Sequence, residues 1–413
     1  MVDTQKNGPI RGLKVLELAH VMAGPTCGRV LADLGADVIK LERIEGEDCR
    51  RMAPPWQGDE AAGFLMLNRN KKGIAVNLKT KAGLQILFDL VAQSDVLIEN
   101  FRKGTMEKLG AGYEVLKVIN PRLIYCEISG YGRTGPYADK GGFDLVAQAM
   151  SGILSVTGEG IGRPPVKAGV PVADIGAGLF ATIGILAAVA ERETSGAGQR
   201  VDASLFEAAS AFMTWPAAMH LAEAEPAQPM GTAHPLDAPY QAFKAADGWF
   251  IVGAANQSNW LRLLEAIDAQ SLQHDDRFKD NPSRVANLDA LTDTLSKLFR
   301  KHPKVYWIER LEEAGVPTGP INSVAEMLND PQTLSREMVV ETEHSTLGVV
   351  KTMATPIRFS RTPSKVDCAS PVLGENTVDV LKNLGYSNER IQHCIEKNVV
   401  IDGAVKKNII AAE

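Results

Sequence analysis

The chemically most pointed stretch of this 413-residue chain is Val170-Pro171-Val172-Ala173-Asp174-Ile175-Gly176-Ala177-Gly178. One carboxylate stands in an otherwise apolar, glycine-rich segment that leads into a helix. Two readings of Asp174 stay open on the residues alone. As an N-cap, its side chain accepts a backbone N–H and contributes about 1 kcal/mol. As a covalent nucleophile, it is kept ionised by the partial positive charge of the helix N-terminus. In that case the glycines let a bulky substrate reach the backbone.

Basic residues gather at three further places. Asn68-Arg69-Asn70-Lys71-Lys72-Gly73 precedes a strand, Lys40 and Arg43 flank the end of another, and Asn100-Phe101-Arg102-Lys103-Gly104 follows a third. Two of these fall at carboxyl ends of parallel strands, where open α/β sheets bind ligands. Arginine offers a planar fork for phosphate and stacks on adenine. The plain alternative is a solvated basic rim. His20-Val21-Met22-Ala23-Gly24-Pro25 is a strand–helix connection whose helix N-terminus suits a phosphate or carboxylate.

Other chemistries lack their residues. There is no G-x-x-x-x-G-K-[ST] loop and no G-x-G-x-x-G after the first strand, so Glu42 does not complete a dinucleotide site. The seven histidines form no H-x-x-x-H or H-E-x-x-H pair, and no metal site is expected. G-x-S-x-G is absent.

These residues need a frame. Strands are expected at Leu13–Leu18, Ala36–Glu42, Gly73–Leu78, Asp95–Glu99 and Leu123–Ile128, alternating with helices at Pro25–Leu34 and Lys79–Gln93. Such alternation predicts α/β architecture with a parallel sheet. Ala203–Ala222 reads as helix, Glu223–Pro239 as a linker, Tyr240–Ala254 as a hairpin turning at Asp247-Gly248, and Asn259–Ile308 as mostly helical. Strands recur near Met338–Glu343 and Leu347–Lys351. The length exceeds one ordinary core. The expected division is 1–225 with the linker, a smaller domain at 226–332, and 333–413.

Composition is that of a globular protein, with 45% hydrophobic and 23% charged residues. A net charge of -6 argues against nucleic acid as a partner. Five scattered cysteines without a C-x-x-C pair fit a reducing compartment. The polar Met1–Asn7 start has no apolar signal core, so a cytoplasmic location is expected. The longest apolar run, Ile175–Ala190, is shorter than the ~20 residues that span a bilayer, and is expected to be a buried helix rather than a membrane segment.

Taken in order, several segments resemble the class III CoA-transferase family. They are Gly12–Leu18, Ala23-Gly24-Pro25, Leu34–Glu42, Asn68–Lys72, Glu99–Arg102 and Gly130-Tyr131-Gly132-Arg133-Thr134-Gly135-Pro136. Asp174, Thr194–Gly198, Pro239–Phe243, Gly315-Val316-Pro317 and Leu373-Gly374-Glu375 continue the set. The resemblance implies a large Rossmann-like domain built from both chain ends (1–225 and 333–413), a smaller α+β domain between them, and an interlocked homodimer. It implies Asp174 as nucleophile. It also implies coenzyme A contacts from Val21, Ala23, Arg43, Leu78, Lys79, Asn100, Phe101 and Arg102, and from Gly141, Phe143 and Asp144. Coenzyme A and its acyl thioesters are substrates, with no tightly bound cofactor. The other partners would be a small carboxylic acid and a second copy of the chain, without nucleic acid or membrane.

An α-methylacyl-CoA racemase, of related fold, needs two bases at the α-carbon and carries a His-Asp pair where this chain has Phe143-Asp144; Phe143 takes no proton. A non-catalytic CoA-binding protein would have no use for Asp174. Formyl-CoA:oxalate transferases have a glycine run where this chain reads Gly231-Thr232-Ala233-His234-Pro235, and glutamine where it has Met22. The pattern here is closer to the branch using succinyl-CoA with dicarboxylates such as glutarate. His234 is either a ligand of the acceptor carboxylate or a turn histidine before Pro235; Arg133 is a further candidate for a carboxylate.

Overall fold

The computed structural model describes residues 8–222 and 226–403. The polar start at 1–7, the first three linker residues and the tail from 404 lie outside the described residues. The chain runs through β1 (Lys14–Glu17), α1 (Ala23–Asp33), β2 (Asp37–Glu42), β3 (Lys71–Val76), α2 (Lys81–Ala92), β4 (Val96–Glu99) and β5 (Ile124–Ser129). It continues through α3 (Asp144–Met150), α4 (Val172–Ser195), β6 (Arg200–Ser204) and α5 (Leu205–Ala211). The hairpin β7 (Tyr240–Lys244) and β8 (Trp249–Gly253) follows, then α6 (Gln257–Ala266), α7 (Leu288–Phe299), α8 (Lys304–Glu313) and β9 (Thr318–Pro320). The last elements are β10 (Val339–His344), β11 (Gly348–Met353), α9 (Thr377–Asn383), α10 (Asn388–Glu396) and β12 (Val400–Ile401).

The main sheet has the order β12-β3-β2-β1-β4-β5-β6. Six strands are parallel, and β12 adds antiparallel to β3 at one edge. Strand order therefore reverses beside β1, which pairs β2 on one side and β4 on the other. A crevice opens at the carboxyl ends of the strands at such a point. The strands read as short apolar runs because both faces are covered; Val96, Leu97 and Ile98 are fully buried. Four of the strands end in or contain a glutamate. Glu17, Glu42, Glu99 and Glu127 lie in β1, β2, β4 and β5, and all four are buried.

The chain divides into two compact units. One comprises the described residues within Met1–Ser151, Gly169–Met213 and Pro331–Glu413; the other takes Gly152–Ala168 and Thr214–Asp330. The division read from the sequence, 226–332, lacks the 152–168 and 214–222 segments. In the first unit, Asn70 joins the chain's two ends: its amide donates to Asp33 and to the Lys365 carbonyl and accepts from the Asp367 and Cys368 N–H groups. In the second, β9-β8-β7 form an antiparallel sheet over a core holding Phe243, Phe250, Trp260, Phe299 and Trp307.

Three local expectations change. Ala203–Ala222 is not one helix. Residues 200–204 form the edge strand β6, Ser204 caps α5 by accepting from the Glu207 N–H, and a separate helix spans Thr214–Leu221. β6 escaped notice because Arg200 and Asp202 interrupt any apolar run. Secondly, α4 spans 24 residues, long and apolar enough to cross a membrane. It is a core helix instead: a stripe of Ala173, Ala177, Ala181, Ile185 and Ala188 is buried, and it packs on α1, α5, β5 and β6. At Gly178 a Cβ would come within 2.6 Å of the Ala23 carbonyl oxygen, so only glycine permits the crossing with α1. Thirdly, α4 is not buried all round; Leu179, Phe180 and Ile183 on its other side are 43%, 41% and 60% exposed.

Candidate active site

The turn that joins β1 to α1 is built against local preference. Val21 has φ +61°, a left-handed conformation that a β-branched residue adopts only under constraint. Its N–H donates to Glu47 Oε2 at 2.8 Å. The neighbouring His20 is clamped at both backbone groups: its N–H donates to Asn100 Oδ1 and its carbonyl accepts from Asn100 Nδ2. The His20 ring meets Phe101 edge-on, with centroids 4.8 Å apart. Burial pushes the His20 imidazole below its ordinary value, against a pull upward from Glu47.

Beside this turn, a cleft of about 830 Å³ opens over the carboxyl ends of β1, β2 and β3 and the loop after β4. Its size falls within that of small-molecule sites. Arg43, Leu78, Lys79 and Phe101 of the expected residues line it, with His20, Asn77 and Lys108. A smaller cavity of about 150 Å³ holds Asp174 together with Ala23, Asn100, Phe101, Arg102, Gly141 and Phe143. Phe101 lines both. Ser129, Gly130, Arg133 and Lys140 also line the small cavity.

Asp174 sits in the first turn of α4, with Pro171 at the cap position, and its side chain caps nothing. The cap is Asp144, whose Oδ1 accepts from the Ala173 and Asp174 N–H groups at 2.9 and 3.3 Å. Gln148 holds the other Asp144 oxygen at 2.6 Å. The N-cap reading of Asp174 therefore passes to Asp144, and Asp144 supports the helix rather than lining the cavities. Among the described residues, the Asp174 carboxylate accepts no hydrogen bond. Burial pushes its pKa up to about 6, and the charge of Asp144 adds to the rise.

Several expected ligands have other partners. Arg133 is buried between carboxylates: its guanidinium reaches Glu99 at 2.6 Å and Glu127 at 3.0 Å and donates to the Phe101 carbonyl. Arg133 lines the Asp174 cavity, but its guanidinium is drawn to these two buried carboxylates. The Glu99 carboxyl, which accepts from the Phe101 N–H, is raised to about 7 by burial, against the pull of Arg133. The Asn68–Lys71 cluster is neither a rim nor a phosphate site. Arg69 pairs with Asp33 at 2.6 Å and Lys71 with Glu17 at 2.7 Å, all of them buried. Glu42 is held by Arg50. Met22 packs toward Cys49, Ala61, Phe64 and Leu67 and lines neither cavity. His234 lies in the second unit, where its Nδ1 accepts from the Leu236 N–H and lies 3.3 Å from Asp237, and its ring stacks on Tyr240. That is the turn-histidine arrangement.

Sequence reasoning placed His20 in the strand–helix connection but missed that Asn100 clamps it, and missed Glu47 altogether. Glu47 belongs to no periodic run; only its place in the loop after β2 marked it.

A doubly wound sheet with a cleft at its reversal point, and a lone desolvated carboxylate beside it, define an α/β enzyme that works on a sizeable ligand. Residues 10–377 match the model of CoA-transferase family III. The human succinyl-CoA:glutarate CoA-transferase is 38% identical over 400 residues, covering 96% of this chain and 91% of the relative. The acetyl-CoA:oxalate CoA-transferase of Acetobacter aceti is 39% identical over 353 residues, covering 86% and 90%. A CAIB/BAIF family protein from Brucella suis, known from its crystal structure, superposes with a TM-score of 0.84 at 42% identity, covering 92% of this chain and 100% of that one. The chain belongs to CoA-transferase family III and is a class III CoA-transferase.

Proposed function

We propose that this enzyme moves CoA from an acyl-CoA, with succinyl-CoA the leading donor, to a dicarboxylic acid, through a thioester on Asp174. One observation carries the reading: the unpartnered Asp174 carboxylate opens on a small cavity that shares Phe101 with the large cleft. The cleft takes the nucleotide end of CoA, with Arg43 and Lys79 toward its phosphates and Leu78 toward its apolar parts. The Asn100-Phe101-Arg102 loop guides the thioester to Asp174.

The Asp174 carboxylate attacks the thioester carbonyl, forming a mixed anhydride and expelling CoA thiolate. The thiolate attacks the aspartyl carbonyl, which gives an aspartyl-CoA thioester and frees the donor acid. The acceptor carboxylate attacks that thioester, again expelling the thiolate. Attack of the thiolate on the acceptor carbonyl then yields the new acyl-CoA and restores Asp174. No oxidant and no net proton is needed. The desolvated site suits the nucleophile, because a carboxylate without hydrogen-bonded partners is more reactive than a solvated one.

Glutarate and oxalate, the acceptors named for the two relatives, head the acceptors to test; the absent glycine run and Met22 favour glutarate. The working form is an interlocked homodimer, supported by the exposed apolar side of α4, and the proposed location is the cytoplasm.

Intact-mass spectrometry after mixing the protein with succinyl-CoA tests the intermediate. An adduct of CoA mass, cleaved by hydroxylamine and mapped to Asp174, is expected. Asp174→Ala loses the adduct and all turnover while still binding CoA. Turnover that survives the substitution rejects the nucleophile.

A further inference from the structure

The turn carrying Val21 is held from beneath by charges that no step of the transfer uses. Lys40, fully buried, donates to the Ala19 carbonyl at 2.9 Å and pairs with Glu17 at 3.1 Å and Glu47 at 3.0 Å. Lys71 donates to the Pro25 carbonyl at 3.1 Å and to Asn68, and pairs with Glu17. Glu47 Oε2 accepts from Val21 at 2.8 Å and from the Cys49 N–H at 3.1 Å. Two cations and two anions thus form a neutral, buried quartet. It grips the turn at Ala19, Val21 and Pro25. The packing is close: a Cβ on Gly28 would lie 1.7 Å from Glu17.

Only one of these grips falls on a strained residue. A left-handed valine costs about 1–3 kcal/mol and persists where its surroundings over-determine it. Glycine would adopt the same conformation without that steric cost. The turn leads directly into Ala23, which lines the Asp174 cavity. Its placement therefore sets one wall around the reacting carbonyl.

We propose that Glu47 is a positioning residue for the transfer: its carboxylate, anchored by Lys40, fixes Val21 in the left-handed conformation and so sets where Ala23 stands against Asp174. Glu47 touches no reacting atom. The inference rests on the reading of Asp174 as nucleophile. Glu47 also lines the large cleft, but its carboxylate is tied to Lys40 and Val21. Leu78, Lys79 and Lys108 elsewhere in the cleft still hold the nucleotide end, so the effect falls on the reacting end of the thioester.

The test is single-turnover formation of the Asp174 adduct, followed by mass spectrometry with thermal melting as the control for folding. Glu47→Ala is expected to slow adduct formation by about tenfold or more, with KM for acyl-CoA changed by less than about threefold, since a misplacement near 1 Å costs up to ~100-fold. Adding Val21→Gly to Glu47→Ala recovers at least about threefold of the rate, because glycine no longer needs to be held. A folded Glu47→Ala protein that reacts at the parental rate overturns the proposal. So does a slow one that Val21→Gly fails to rescue. If the alanine variant does not fold, Glu47→Met, which fills the space without an acceptor oxygen for Val21, is judged by the same two criteria. A parent protein that forms no adduct overturns the nucleophile reading and this inference with it; the other two outcomes overturn this inference alone.

Discussion

Asp174 shows how little a residue's place in the chain says about its state. Its neighbours suggested a cap, yet Asp144 does the capping and Asp174 is left desolvated. Its pKa is raised, so the sign is unusual for an aspartate. Ionising it costs the folded state, and stability is lost as pH rises from the ordinary carboxylate range to about 6. Asp174→Asn should therefore melt higher than the parent above pH 6, with the gap closing as pH falls toward 4 (roughly the unfolded pKa); calorimetry across pH reads this. The nucleophile must be charged, so kcat/KM should fall below about pH 6. Asp144→Asn keeps a side-chain oxygen for the cap but removes the like charge. It should shift that acid limb to lower pH, which a pH–rate profile would show. An unmoved limb would mean that another group controls it.

The strand ends and their loops act as a second level of organisation. The buried acids of β4 and β5 hold Arg133, and together Glu99 and Arg133 fix both backbone groups of Phe101, the residue common to the two cavities. Arg133→Met leaves two buried carboxylates short of a partner. A loss of about 3–5 kcal/mol in urea unfolding is expected, with turnover reduced in what remains folded. If Arg133 served an acceptor acid instead, the same change would raise the KM for that acid and leave stability alone. Much of this level was legible in advance. β1 to β5 announced themselves as apolar runs, and the hairpin turned where Asp247-Gly248 said it would. What stayed hidden was pairing over long sequence distances. Arg69 with Asp33, Lys71 with Glu17 and Arg133 with Glu99 are 36, 54 and 34 residues apart, taking their numbers in the chain. A string of residues displays the charges there, but not which of them will be buried against each other. Hence the basic run at Asn68–Lys71 looked like a ligand site and is a structural joint.

For the whole protein, the unsatisfied feature is the outer side of α4. Leu179, Phe180 and Ile183 are exposed along the helix that begins with Asp174, and Phe143 beside the small cavity is 75% exposed. Exposed apolar side chains along one helix suit the proposed pairing of two copies. The protein should sediment as a dimer, and Ile183→Asp should yield monomer in analytical ultracentrifugation, with turnover falling in proportion to the monomer fraction. A parent that sediments as a monomer at micromolar concentration would reject the proposed assembly.

The return of the chain to its first sheet has a consequence for synthesis. β3 receives its outer neighbour, β12, only when residues 400–401 have been made. About 200 residues separate β6 from that point, some ten to forty seconds of translation at about 5–20 residues per second. Throughout that interval β3 presents an open parallel edge, and until residues 365–368 are made the Asn70 joint lacks its C-terminal half. The nascent sheet is then a template for pairing with another unfinished chain, so yield in cells should depend on holding chaperones more steeply than the finished protein's stability implies.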